Sequence, residues 1–193
     1  MTRPTVLIVP GLRDHIAQHW QTLLETRLRA QGRPVASVLP MGRDDLDCAA
    51  RVAAIERAAQ GVAGPVVIVA HSGGCIMVAH WACQTQRTLQ GALLAAPPDF
   101  ETPMPEGYPT LAALRAWGWL PVPRARLPFP SIVGSSRNDP LASHERVAEL
   151  ARCWGSELAD LGEVGHLNPA SGYGDWPRAE QFVAQLSAAP VRA

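Results

Sequence analysis

The chain has 193 residues, 47% of them hydrophobic, and its 17 basic side chains balance 17 acidic ones. That length fits one domain whose core needs neither disulfides nor metal, and balanced charge removes the usual pull toward a phosphate backbone or an anionic membrane surface. Neither nucleic acid nor membrane is expected as a partner.

Met1 to Pro4 leads into only five or six apolar residues before Gly11, too few for the apolar region of a signal peptide. No run approaches the ~18 apolar residues of a membrane span. The four cysteines, Cys48, Cys75, Cys83 and Cys153, form no C-x-x-C pair. They fit a reducing compartment, with neither a disulfide framework nor a zinc site. A cytoplasmic protein is expected.

Short β-branched runs predict strands at Thr5 to Val9, Val35 to Leu39, Val66 to Val69, Gly91 to Ala95, Ser131 to Gly134 and Glu157 to Leu161. Between the first two, Asp14 is expected to cap a helix reaching about Gln31, with Trp20, Leu23, Leu24 and Leu28 on one face. Asp45 to Gln60 reads as a helix with Ala49, Val52, Ala53 and Ile55 inward. Gly73 to Arg87, Ser143 to Trp154 and Trp176 to Ala188 supply the rest. Strands alternating with helices predict an α/β fold of parallel βαβ units, with helices on both faces of the sheet. The segment from Pro97 to Pro130 breaks this rhythm, holding nine of the eighteen prolines together with Trp117 and Trp119. It reads either as a stiffened surface connection or as a lid or pocket wall, with a short helix over Thr110 to Leu120.

The most informative motif is Ala70-His71-Ser72-Gly73-Gly74, directly behind the third strand. A G-x-S-x-G turn has small flanks that let strand and helix crowd together, so its serine hydroxyl projects above the sheet edge. Alanine replaces the first glycine here; it keeps the smallness but would be strained if that position needed positive φ. Nucleophilic acyl transfer also needs an imidazole, a carboxylate to fix its tautomer, and donors for the developing oxyanion. Asp139, in Ser135-Ser136-Arg137-Asn138-Asp139-Pro140, follows the fifth strand; His166, in Gly165-His166-Leu167-Asn168, follows the sixth. Three such residues at three strand ends, in the order Ser, Asp, His, make a candidate triad.

Other candidates are weaker. Asp99, after the fourth strand, is an alternative acid. His15 and His19 have the i, i+4 spacing of metal ligands but lack an H-E-x-x-H frame and a third ligand. His71 is expected to pack or support, since its backbone position points it away from Ser72. His80 and His144 lie on predicted helices. The backbone N–H groups of Leu12, in Val9-Pro10-Gly11-Leu12-Arg13, and of Gly73 are the candidate oxyanion donors. Trp117, Trp119 and Leu120 are expected in an apolar pocket wall and Tyr173 at its mouth, with core packing the alternative for the tryptophans.

These pieces, with His19-Trp20, Leu127-Pro128-Phe129-Pro130-Ser131 and Ser171-Gly172-Tyr173-Gly174-Asp175-Trp176-Pro177, resemble over nearly the whole length the small serine hydrolases of the retinoblastoma-binding protein 9 and YdeN-like family. That family is a compact branch of the α/β hydrolases whose members often carry Gly or Ala at the position of Ala70. The resemblance implies an α/β-hydrolase fold, a three-layer αβα sandwich of six or seven mostly parallel strands. It also implies Ser72, Asp139 and His166 as the triad, no cofactor, and hydrolysis of small esters or related acyl compounds. A binding module on the same scaffold, with a protein or small ligand as partner, and an amidase or peptidase stay open as alternatives.

Overall fold

The computed structural model describes residues 3–13 and 16–189. The elements run β1 (Thr5–Val9), α1 (Trp20–Ala30), β2 (Val35–Ser37), α2 (Cys48–Gln60), β3 (Val66–His71), α3 (Gly73–Ala82), β4 (Gly91–Ala95), α4 (Leu111–Ala116), β5 (Ser131–Ser135), α5 (His144–Trp154), β6 (Glu157–Asp160) and α6 (Arg178–Ala188). The six strands form one sheet in the order β2-β1-β3-β4-β5-β6, and every neighbouring pair is parallel.

Strand alternation divides the core into two layers. Val6 and Ile8, with Val67 and Val69, pack on Trp20, Leu24 and Leu28 of α1 and on Phe182, Val183 and Leu186 of α6. Leu7 and Val9, with Ile68 and Ala70, face Val52 and Ile55 of α2, Ile76 of α3 and Val147 and Leu150 of α5. Burying each large aliphatic side chain contributes about 1.5–3 kcal/mol. The chain leaves β1 for β2 on one side and returns past β1 to β3 on the other. The crevice of an open parallel sheet lies at such a reversal, beyond the carboxyl ends of the strands.

Several boundaries differ from the sequence reading. Helix α1 starts at Trp20, and its N-cap is His19, extended at φ −70° and ψ 138°, whose Nδ1 accepts the Gln21 N–H at 3.2 Å. Asp14, the expected cap, lies outside the described residues, as does His15. Helix α2 turns Cys48, Arg51, Val52, Ile55 and Ala59 inward and leaves Ala49 and Ala53 exposed. The cause is Arg51, 3% exposed, whose guanidinium donates to the Asp45 and Gly42 carbonyls and takes a place that a polarity pattern assigns to solvent. Helix α3 ends at Ala82 instead of Arg87, and Arg87, beyond it, donates to the Val62 and Gly64 carbonyls.

The proline-rich segment is fastened at several points. Leu114 and Trp119 are fully buried, and Trp119 Nε1 donates to the Leu46 carbonyl at 2.8 Å. At its two ends, Glu101 and Arg124 join an ion-pair network with Arg146 and Glu149 of α5. Among the described residues no helix is long and apolar enough to cross a membrane.

Candidate active site

Ser72 stands between the last residue of β3 and the first of α3, with φ 54° and ψ −131°. Positive φ on a residue with a side chain costs on the order of 1–3 kcal/mol and persists only where its surroundings over-determine it. Here the Ser72 N–H donates to the Ala95 carbonyl at 2.9 Å, and its C=O accepts the Cys75 N–H at 2.9 Å. The strain thus falls on the serine itself. Ala70 lies one step back, within β3, paired with Val9 and Leu94 and fully buried. The position where no side chain fits is Gly74: a Cβ there would stand 2.6 Å from the Pro10 carbonyl oxygen and 2.8 Å from that of Val9. Helix α3 therefore presses its first turn against the backbone leaving β1.

The structure brings Ser72, His166 and Asp139 together. His166 Nε2 lies 2.8 Å from Ser72 Oγ, and His166 Nδ1 lies 2.8 Å from Asp139 Oδ2. The second carboxylate oxygen of Asp139 accepts the Leu141 N–H at 2.9 Å. Both the His166 and Asp139 side chains are almost wholly buried, at 5% and 2% exposure. A carboxylate accepts only, so the imidazole carries its proton on Nδ1 and offers a bare Nε2 to the serine hydroxyl. That arrangement can take the hydroxyl proton as the oxygen attacks.

The loop carrying His166 is stitched to the loop carrying Asp139. The Gly165 N–H donates to Asn138 Oδ1 at 2.7 Å, the Val164 N–H to Ser136 Oγ at 3.2 Å, and the Arg137 N–H to the Gly162 carbonyl at 2.8 Å. Gly165 has φ 56°, and a Cβ on it would meet Ser171 at 2.6 Å. Ser136, Asn138 and Ser171 thus hold the geometry of the site. The motif strings contained them, but only their partners across the loop pair reveal what they do.

The alternative acid, Asp99, is turned elsewhere: its Oδ2 pairs with Arg146 at 3.3 Å and its Oδ1 accepts the Glu101 N–H. His71, buried at the cavity wall, places Nε2 2.9 Å from the His166 carbonyl oxygen. Burial, reinforced by the neighbouring His166 and His19, pushes its imidazole well below the ordinary range, so it is neutral.

A cavity of about 490 Å³ opens on Ser72 and His166, within the size of ordinary small-molecule sites. Its apolar wall includes Leu12, Phe100, Met104, Tyr108 and Leu141. Arg13 lies over the Tyr108 ring at 4.0 Å and donates to the Gly107 carbonyl at 2.7 Å, joining the loop after β1 to the proline-rich segment across the cavity. The four side chains expected from sequence as pocket wall or mouth sit elsewhere. Trp119 is buried in the core against Phe100, Trp117 is half exposed, Leu120 packs on the α2/α3 layer, and Tyr173 packs on the α1/α6 layer. The proline-rich segment does reach the cavity, through Met104 to Pro109 instead of through its tryptophans. Nothing local distinguishes those residues; tertiary placement alone brings them there. Leu12 lies directly over Gly73, where a Cβ would come within 2.7 Å of Leu12 Cγ.

A family model described as serine hydrolase matches residues 6–185. The chain belongs to the serine hydrolase family. Among solved structures, a YdeN-like hydrolase from Pectobacterium atrosepticum is 30% identical, covering 96% of this chain and 91% of that one, with a TM-score of 0.77. The ydeN gene product of Bacillus subtilis is 18% identical over 96% of this chain and all of that one, with a TM-score of 0.74. Est1E from Butyrivibrio proteoclasticus, solved with ferulic acid bound, is 13% identical over 95% and 86% of the two chains, with a TM-score of 0.68. The last two likenesses show the α/β-hydrolase fold. No curated protein matches the sequence.

Proposed function

We propose that this serine hydrolase is a cytoplasmic carboxylesterase for small or short-acyl esters, working through Ser72, His166 and Asp139. The observation that carries the reading is the unbroken chain from carboxylate to imidazole to hydroxyl, at 2.8 Å in both links. Ser72 Oγ attacks the ester carbonyl while His166 Nε2 takes its proton. The tetrahedral oxyanion collapses, His166 hands the proton to the leaving alkoxide, and an acyl-serine remains. His166 then removes a proton from water, which attacks the acyl carbon and releases the acid, returning the proton to Ser72. Asp139 accepts from Nδ1 throughout and stabilises the transient imidazolium. The N–H groups of Gly73 and Leu12 face the oxyanion in this reading, supported by the close approach of the Leu12 loop to the first turn of α3. A 490 Å³ cavity with an apolar wall favours a compact acyl group. No cofactor enters any step, and kinship with the retinoblastoma-binding protein 9 branch is part of the same proposal.

The test combines a fluorophosphonate probe with a panel of p-nitrophenyl esters of increasing acyl length. Covalent labelling at Ser72, lost in Ser72→Ala, together with turnover that peaks at short acyl groups, is the expected result. A folded protein that neither labels nor turns over any ester would instead be a binding module on a hydrolase scaffold. Turnover of the matching anilides at comparable rates would replace esterase by amidase.

A further inference from the structure

His166 has four hydrogen-bonding groups, and each meets a partner, the four partners coming from three stretches of chain. Nδ1 meets Asp139, Nε2 meets Ser72, the main-chain N–H donates to Ser171 Oγ at 3.0 Å, and the main-chain carbonyl lies 2.9 Å from His71 Nε2. The last two matter because this peptide belongs to no helix or strand. Gly165 and Leu167 on either side have φ 56° and 49°, and for leucine that conformation is unfavourable on its own. Beyond the main-chain bond from the Leu167 N–H to the Val164 carbonyl at 3.1 Å, side-chain contacts hold the backbone of His166 in place.

We propose that His71 is a positioning residue: its Nε2–H fixes the main-chain carbonyl of His166, while the adjacent Ser72 meets the side chain of the same histidine. Two consecutive residues at the end of β3 grip both ends of His166, so the distance between nucleophile and base is set by the covalent spacing of residues 71 and 72. A carbonyl only accepts, so the proton resides on Nε2 of His71. Burial keeps the ring neutral, and it packs against His19, at 4.8 Å between centroids, and against Trp20 in a T-shaped contact at 5.9 Å. A neutral donor at this place adds no cation beside the imidazolium that forms on His166, 5.0 Å away between centroids. The role rests on the esterase reading above, since it matters only if His166 moves protons.

Three substitutions separate positioning from packing. His71→Gln carries an amide N–H at the reach of Nε2; His71→Asn carries the same amide one carbon shorter; His71→Phe keeps the ring volume and has no donor. With a short-acyl p-nitrophenyl ester, His71→Gln should keep kcat within about threefold of the parent. The Phe and Asn variants should lose about 10- to 100-fold in kcat at nearly unchanged KM, the scale expected of a base displaced by a fraction of an ångström to one. Fluorophosphonate labelling rates should fall in parallel. Thermal midpoints identify any variant that fails to fold, and the Gln and Asn pair carries the comparison if Phe does. Equal kcat in all three variants, or a Gln variant as impaired as Phe, overturns the positioning role while the esterase reading stands. A parent protein that neither labels nor hydrolyses overturns both.

Discussion

Replacing Asp139 by asparagine exchanges a single oxygen for an NH2 group and should remove nearly all activity without disturbing the fold. In the parent, Oδ1 of Asp139 accepts the Leu141 N–H at 2.9 Å and Oδ2 accepts from His166 Nδ1 at 2.8 Å. Asparagine has one oxygen and one NH2, and the Leu141 N–H can only be satisfied by the oxygen. The amide NH2 must then face His166 Nδ1, which has to give up its proton and accept. The imidazole proton moves to Nε2, where it points at Ser72 Oγ and can no longer receive the hydroxyl proton. The wrong tautomer in a geometrically intact triad costs about 10⁴-fold in kcat, equivalent to about 5.5 kcal/mol of transition-state stabilisation. The side chain is only 2% exposed and both its contacts persist as hydrogen bonds, so the thermal midpoint should shift little. Initial rates with a p-nitrophenyl ester across pH, beside a thermal melt, measure both quantities. An Asp139→Asn protein within tenfold of parental kcat would refute the assignment of Asp139 as the residue that fixes the His166 tautomer.

Ser72→Ala should lower kcat by about 10⁴- to 10⁶-fold with a nearly unchanged thermal midpoint; an equal loss of folding would make Ser72 a structural residue. Gly74→Ala drives a Cβ to 2.6 Å from the Pro10 carbonyl oxygen, which is backbone and cannot swing aside. It should destabilise by about 1–3 kcal/mol in urea unfolding, and esterase activity should fall with it as the Leu12 loop is pushed off Gly73. Burial holds His71 well below its ordinary range, and His80 is lowered by the same cause. The unfolded chain therefore binds more protons than the native one as pH falls through about 6.5, and native stability should drop on the acid side. Each such histidine contributes a slope of at most about 1.4 kcal/mol per pH unit. Above about pH 6.5 that contribution is fully present, so the thermal midpoint should decline between pH 7 and 5, less steeply in His71→Gln.

The sequence alone determined the elements and the chain positions of the candidate site. The continuous apolar runs of β1, β3 and β4 and the small-x-Ser-x-Gly turn are local signals, because a strand buried on both faces must be apolar throughout and a strand-to-helix turn must be small. That is why Ser72, Asp139 and His166 were legible as strand-end residues before any distance was known. What only the tertiary structure decided is everything that depends on segments remote in sequence. The polar charge of Arg51 argued for solvent, yet three donor contacts to loop carbonyls pull it inside and rotate the buried face of α2. Trp119 has the composition of a pocket wall and packs in the core, while Met104 and Tyr108 in the same proline-rich stretch reach the cavity. His19, which a periodic pattern places inside a helix, caps α1 and packs against His71, and His71 holds the backbone of a residue 95 positions away. Residue type constrains the hydrogen bonds a side chain can make; which of them forms is chosen by neighbours that folding brings together from distant parts of the chain.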